Sequence, residues 1–142
     1  MIIDFHTHIF PPKFRDQRLR HINRDRTFGD LYSDPQSKMA TLDDLIHSMN
    51  DDAVDVSVAM GIGWTDHGLA RESNDYIIES VRKYPNRLVG FAGVNPAWGE
   101  IASEEAERCA KLGLKGIGEL HSDTQSLNLE DDKIMGSLMD VV

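Results

Sequence analysis

The chain has 142 residues, with 24 Asp and Glu against 15 Lys and Arg, for a formal net charge of -9. So acidic a surface repels phosphate backbones and anionic lipid, which excludes nucleic acid and membrane surfaces as expected partners. Cys109 is the single cysteine, no basic segment leads into an apolar run, and no apolar stretch reaches membrane length, so a cytoplasmic protein without disulfides is expected.

The length suits one domain over residues 1–142 with its own core. A first strand is expected near 1–9, halted by Pro11 and Pro12. Residues 13–40 are polar, with Gly29, Asp30, Pro35 and scattered aromatics. They read as a long excursion holding a short helix, and connections of this length often carry function. Arg15, Arg18, Arg20, Arg24 and Arg26 lie in it, diluted by Asp16, Asp25 and Asp30.

Thr41 stands three residues before Asp44, as in a capping box, and opens a helix near 41–51 with Leu42, Leu45, Ile46 and Met49 on one face. The small and β-branched run "VDVSVAMG" gives a second strand near 54–61. "GIGWTDHG" is a turn-rich link to a helix near 69–84, which Pro85 ends. A third strand follows near 88–94, then a helix near 100–112 with Ala102, Ala106, Cys109 and Ala110 inward and Gly113 as its C-terminal stop. A fourth strand is expected near 114–120 and a fourth helix near 130–140.

Strand and helix thus alternate four times, which implies right-handed βαβ units and a parallel sheet in an α/β fold. Two architectures satisfy the pattern: a small open sheet, or the N-terminal half of a (β/α)8 TIM-type barrel. The first strand runs into "HIFPP" and not into a glycine-rich phosphate turn, which argues against a nucleotide-binding open sheet.

The chemistry concentrates in "IDFHTHIFPP". Alternate residues of a strand share a face, which puts Asp4, His6 and His8 together, with Phe5, Thr7 and Ile9 opposite. Two imidazoles so placed can converge on one divalent ion, and Asp4 can orient a ring or ligate weakly. In parallel α/β folds sites gather at the carboxyl ends of the strands, which is where His6 and His8 stand. Glu119 reaches the same level on the fourth strand, where a buried carboxylate needs an ion or a cationic partner, and His121 follows two residues later. Against this stand plainer roles: a ring capping a loop, or Glu119 paired with an arginine. Trp64 and His67 after the second strand, Asn95 at the end of the third, and Arg18 are substrate-pocket candidates, each weighed against a packing, surface or turn-capping role. Asn74 is given a polar contact and no chemistry.

"MIIDFHTHIFPP" resembles the opening motif of the metal-dependent amidohydrolase superfamily, whose barrels end their first strand in Asp-x-His-x-His. "SNDYIIESVRKYPNRLVGFAGVNP" and "LGLKGIGELHSDTQ" resemble the amidohydrolase-related branch that includes the aminocarboxymuconate-semialdehyde decarboxylase-like enzymes. The resemblance implies His6 and His8 as metal ligands, Glu119 at the place of a bridging carboxylate, and zinc as the expected ion. It implies a hydrolase in which metal-activated water attacks a C–N or C–O bond of a small molecule. The alternatives are a non-oxidative decarboxylase of a small carboxylated substrate, or a catalytically incomplete fragment. The family's catalytic groups from its later strands are expected beyond Val142. A half barrel leaves its first and fourth strands as open edges, so a homo-oligomer, or association through those edges, is expected.

Overall fold

The computed structural model describes residues 1–141; Val142, the end of the last expected segment, lies outside the described residues. Four parallel strands, β1 (Ile3–His8), β2 (Val56–Met60), β3 (Leu88–Ala92) and β4 (Gly116–Ile117), lie side by side in chain order. Between and after them run α1 (Pro12–Asp16), α2 (Arg18–Ile22), α3 (Arg26–Tyr32), α4 (Leu42–Asp51), α5 (His67–Lys83), α6 (Glu100–Lys111), α7 (Ser122–Gln125) and α8 (Asp132–Met139). This is the expected α/β architecture, with the strand order of about half of a (β/α)8 barrel.

Capping fixes where the main helices begin. The Thr41 side chain accepts from the Asp44 amide while Asp44 accepts from the Thr41 amide at 2.8 Å, which closes the capping box of α4. Asp66 accepts from the Leu69 amide at 2.8 Å and so starts α5 at His67. The main core lies between sheet and helices, where Leu45 and Met49 of α4, Ile77 of α5 and Cys109 of α6 meet Ile9, Ala59, Leu88 and Ala92. Gly90 is small because the helices come close there: a Cβ on it would stand 2.5 Å from Leu114 and 2.8 Å from Ile77.

The excursion holds three short helices, not one. Pro12 at the first position of α1 and Asp25 as the cap of α3 mark two of their starts. Helices of five to seven residues do not sustain themselves in water, so tertiary packing holds these. Phe14 and Phe28 are fully buried against Trp64, with Phe10 and Met39 completing the cluster.

β4 is much shorter than the expected 114–120 strand. After Ile117 the Gly118 amide still bonds the Ala92 carbonyl at 3.0 Å, and the chain then leaves the sheet. Two glycines flanking one isoleucine give an edge strand little reason to continue.

β1 carries a second departure from simple alternation. Asp4 pairs with Ser57 and Thr7 with Ala59, so three steps along β1 match two along β2. This bulge moves Asp4 to the opposite face from His6 and His8, because register partners in parallel strands share a face. Phe5 joins the face away from the helices and meets the Phe91 ring edge-on at 6.1 Å, across the intervening strand β2.

Candidate metal centre

His6 and His8 project from the end of β1, and Glu119 from the turn just after β4. A flat sheet would hold these edge strands about 14 Å apart, three strand spacings. The sheet instead curls and the chain after β4 turns inward, so that Nε2 of His8 lies 3.5 Å from Oε2 of Glu119. The Nε2 atoms of His6 and His8 are 3.0 Å apart, and one ligand atom from each of the three residues falls within 4.8 Å of the others.

The orientation of His8 is set from behind. Its Nδ1 lies 3.0 Å from the Gly61 carbonyl, which can only accept, so Nδ1 carries the proton and Nε2 keeps its lone pair. Thr7 donates to the Val58 carbonyl at 2.8 Å and pins the strand between the two rings. Two imidazole nitrogens 3.0 Å apart, with a carboxylate beside them, offer three donor atoms to one cation. The donor set therefore fits a divalent ion: two nitrogens and one oxygen, half open to solvent.

The other candidates separate clearly. Asp4 is exposed, lies on the far face, and accepts from the His6 backbone amide at 3.3 Å; it touches neither ring nitrogen. His121 does not share a strand face with Glu119, because the sheet has already ended. Its Nδ1 caps α7 and takes the Thr124 amide at 3.4 Å. Trp64 is completely buried, stacked on Phe28 at 6.1 Å and edge-on to Phe14 at 5.7 Å, so it serves the packing role. Asn95 is buried and caps a single 3-10 turn (Pro96–Trp98), accepting from the Ala97 amide at 3.0 Å. His67 opens α5 and meets Trp98 edge-on at 5.3 Å, partly buried. Arg18 donates to the Asp34 and Ser37 carbonyls at 2.8 and 2.7 Å, which ties the excursion to itself. Arg24 is held by both oxygens of Asp66 at 2.9 Å.

Sequence reasoning gave Asn74 a polar contact, which it makes, and passed over Glu105 and Tyr32. Asn74 is fully buried and clamps Gly93 at the exit of β3, accepting from its amide at 2.8 Å and donating to its carbonyl at 3.0 Å. The same amide nitrogen donates to buried Glu105 at 2.9 Å. Both sit on the apolar stripes of α5 and α6, and a polar residue on such a stripe was the available signal. Tyr32 packs on Phe10 and Phe28 at 5.2 and 5.1 Å, and burial together with the Glu119 charge pushes its phenol up. Cys109 is inert, its thiol pushed up to about 12 by burial and by Glu105.

The amidohydrolase profile matches residues 3–135. The chain belongs to the amidohydrolase family. Among curated relatives of this amidohydrolase chain, it is 46% identical to the gamma-resorcylate decarboxylase of Polaromonas sp. (strain JS666) over 48 residues, 33% of this chain and 15% of that one. It is 26% identical to the 2-amino-3-carboxymuconate-6-semialdehyde decarboxylase of Dictyostelium discoideum over 156 aligned positions, 93% of this chain and 43% of that one. Among solved structures it superposes on 5-carboxyvanillate decarboxylase from Novosphingobium aromaticivorans with a TM-score of 0.75 and 24% identity, over 99% of this chain and 47% of that one. The chain thus spans less than half the length of these relatives.

That comparison overturns the expectation of zinc. The 5-carboxyvanillate decarboxylase was solved with manganese, as was the dihydroxybenzoic acid decarboxylase of Polaromonas sp. JS666. Two imidazoles and a carboxylate are a donor set that zinc and manganese both accept, so the residue types alone did not separate the two ions. Among the described residues no helix is long and apolar enough to cross a membrane.

Proposed function

We propose that this chain forms part of a manganese-dependent, non-oxidative decarboxylase acting on a small carboxylic acid of the hydroxylated aromatic or enol type. The observation that carries the reading is the convergence of His6, His8 and Glu119, with the His8 tautomer set by the Gly61 carbonyl. The decarboxylases among the relatives support decarboxylation over the hydrolysis first expected from the sequence.

In this reading His6, His8 and Glu119 would hold the ion. A bound divalent ion supplies positive charge that orients a substrate carboxylate and polarises an adjacent oxygen. The remaining catalytic groups come from parts of the protein outside this chain, and the open edges of β1 and β4 are where those parts, or a second copy, associate. Hydrolysis is the second reading, and Glu119 favours it, because a carboxylate in that place can take a proton from an attacking water.

The test is a manganese titration followed by electron paramagnetic resonance of the free ion, on the native chain and on H6A, H8A and E119Q. Each substitution is expected to weaken binding tenfold or more. Equal affinity in all four chains would overturn the reading. Carbon dioxide release from hydroxybenzoic acids, against hydrolysis of esters and lactones, separates the two reactions.

A further inference from the structure

We infer that Gln125 is a positioning residue for Glu119, acting through the loop that follows β4; this rests on the metal-centre reading above. Glu119 and Leu120 make no backbone–backbone hydrogen bond among the described residues. The loop is fastened only at its flanks. On one side the Gly118 amide bonds the Ala92 carbonyl at 3.0 Å. On the other the His121 amide donates to Oε1 of Gln125 at 2.8 Å. The candidate ligand therefore lies between an anchor in the sheet and an anchor at His121, where the Gln125 side chain ties the start of α7 to the rest of the fold.

That side chain is itself held rigidly. Gln125 is 4% exposed, and its Nε2 donates to the Trp64 carbonyl at 2.9 Å and the Val94 carbonyl at 3.1 Å. One amide group thus joins the chain segments that follow β2, β3 and β4. The two carbonyls it grips lie beside other built features: Trp64 is locked in the aromatic cluster, and Val94 follows the Gly93 that Asn74 clamps. A second link supports the same place, for Thr124 and Thr27 share a hydrogen bond, and Thr27 also donates to the Gly63 carbonyl. The approach is close enough that a Cβ on Gly63 would stand 2.5 Å from His121 Cβ and 3.2 Å from Oε1 of Gln125. A glutamine whose amide is fully engaged across three strand ends fixes the height and direction from which Glu119 reaches His8. Outer residues that orient ligands in this way influence metal affinity by tenfold or more.

The test is a double-mutant cycle read by manganese affinity and by thermal unfolding, on the native chain, Q125M, E119Q and the double variant. Q125M keeps the volume and removes all three hydrogen bonds. It is expected to weaken manganese binding about tenfold in the native background and to have no further effect once Glu119 is gone. If Q125M does not fold, G63A decides, since its Cβ would press on the His121–Gln125 junction while keeping the Gln125 amide as a hydrogen-bonding group; the same loss confined to the Glu119-containing background is expected. Unchanged affinity in the folded variant, or an equal loss with and without Glu119, would overturn the inference. Absence of manganese binding by the native chain would instead overturn the metal reading on which it rests.

Discussion

Glu105 offers the sharpest test of the packing that supports the site. Its carboxylate is 2% exposed, yet it lies on the inward face of α6. It accepts from Nε and a terminal nitrogen of Arg108 at 2.8 and 2.7 Å, from Arg71 at 3.2 Å, from Asn74 at 2.9 Å and from the Cys109 thiol at 3.4 Å. Burial alone would push its pKa up, but the Arg108 and Asn74 hydrogen bonds outweigh burial and hold it below the ordinary 4.5. Breaking a buried ion pair by removing one partner costs about 3–5 kcal/mol. Here the stranded partners have outlets: Arg108 keeps Asp75 at 2.7 Å, and Arg71 is half exposed. We therefore expect E105A to cost about 3 kcal/mol, the lower end of that range. A chain of this size loses roughly 0.3 kcal/mol per degree near its midpoint, so Tm should fall by about 10 °C. Because the folded-state pKa is depressed, the carboxylate's contribution is complete above the unfolded value and fades as pH drops from 4.5 through the folded value. E105Q should accordingly show a shallower acid limb in urea unfolding followed by circular dichroism. An E105A chain within about 0.5 kcal/mol of native, the scatter of ordinary surface substitutions, with an unaltered acid limb, would refute the reasoning.

Asp25 ties the excursion to the β2 exit. One oxygen caps Phe28 at 2.8 Å, and the other takes the Thr65 and Asp66 amides at 2.7 Å each. D25A strands these donors and should cost about 3 kcal/mol, with faster proteolytic cleavage inside residues 13–40 as the direct readout. His21 is 5% exposed with neither ring nitrogen partnered, and its ring rests on Phe14 at 4.6 Å. Burial, reinforced by Arg20, Arg24 and Lys13, lowers its pKa below 6.5. The folded chain thus takes up this proton less readily than the unfolded chain, and stability should fall as pH drops below 6.5. H21F should remove that component when urea midpoints at neutral and mildly acidic pH are compared.

The order of elements was legible because periodicity and caps are local: Thr41 with Asp44, and the alternation of four strands with helices, need no knowledge of contacts. The convergence of the two histidines was legible for a partly wrong reason. Strict alternation grouped Asp4 with them, whereas the bulge between Asp4 and Thr7 separates Asp4 and keeps the rings together. A bulge leaves no mark in a sequence of ordinary strand residues. Trp64 looked like a pocket residue from its place after a strand, but the three short helices of the excursion fold over it and bury it. The clamp made by Gln125 was hidden for the same reason, and Asn74 was legible only as a polar contact without its partners, since both are defined by carbonyls and amides far away in the chain.

The centre joins the exits of the two edge strands. β1 and β4 are the two edges of the sheet and share no ladder, yet His8 and Glu119 come from their exits. An ion held by both is a crosslink present in the folded state and absent from the unfolded chain. Such a ligand raises stability by about 2.7 kcal/mol at a hundredfold excess over its dissociation constant. At roughly 0.3 kcal/mol per degree, manganese at that excess should raise Tm by about 9 °C. Amide exchange should slow at the exits of both edge strands together, residues 6–8 and 117–121, while α4 and α5 respond only through global stability. At the same manganese concentration H8A and E119Q, each binding at least tenfold more weakly, should cut the shift to about 5 °C or less and end the joint slowing of the two exits, because removing either end opens the crosslink. An undiminished thermal shift in H8A, or slowing confined to β1, would mean the ion binds without bridging the edges, and the account of the centre as a closure between the first and last strands would fall.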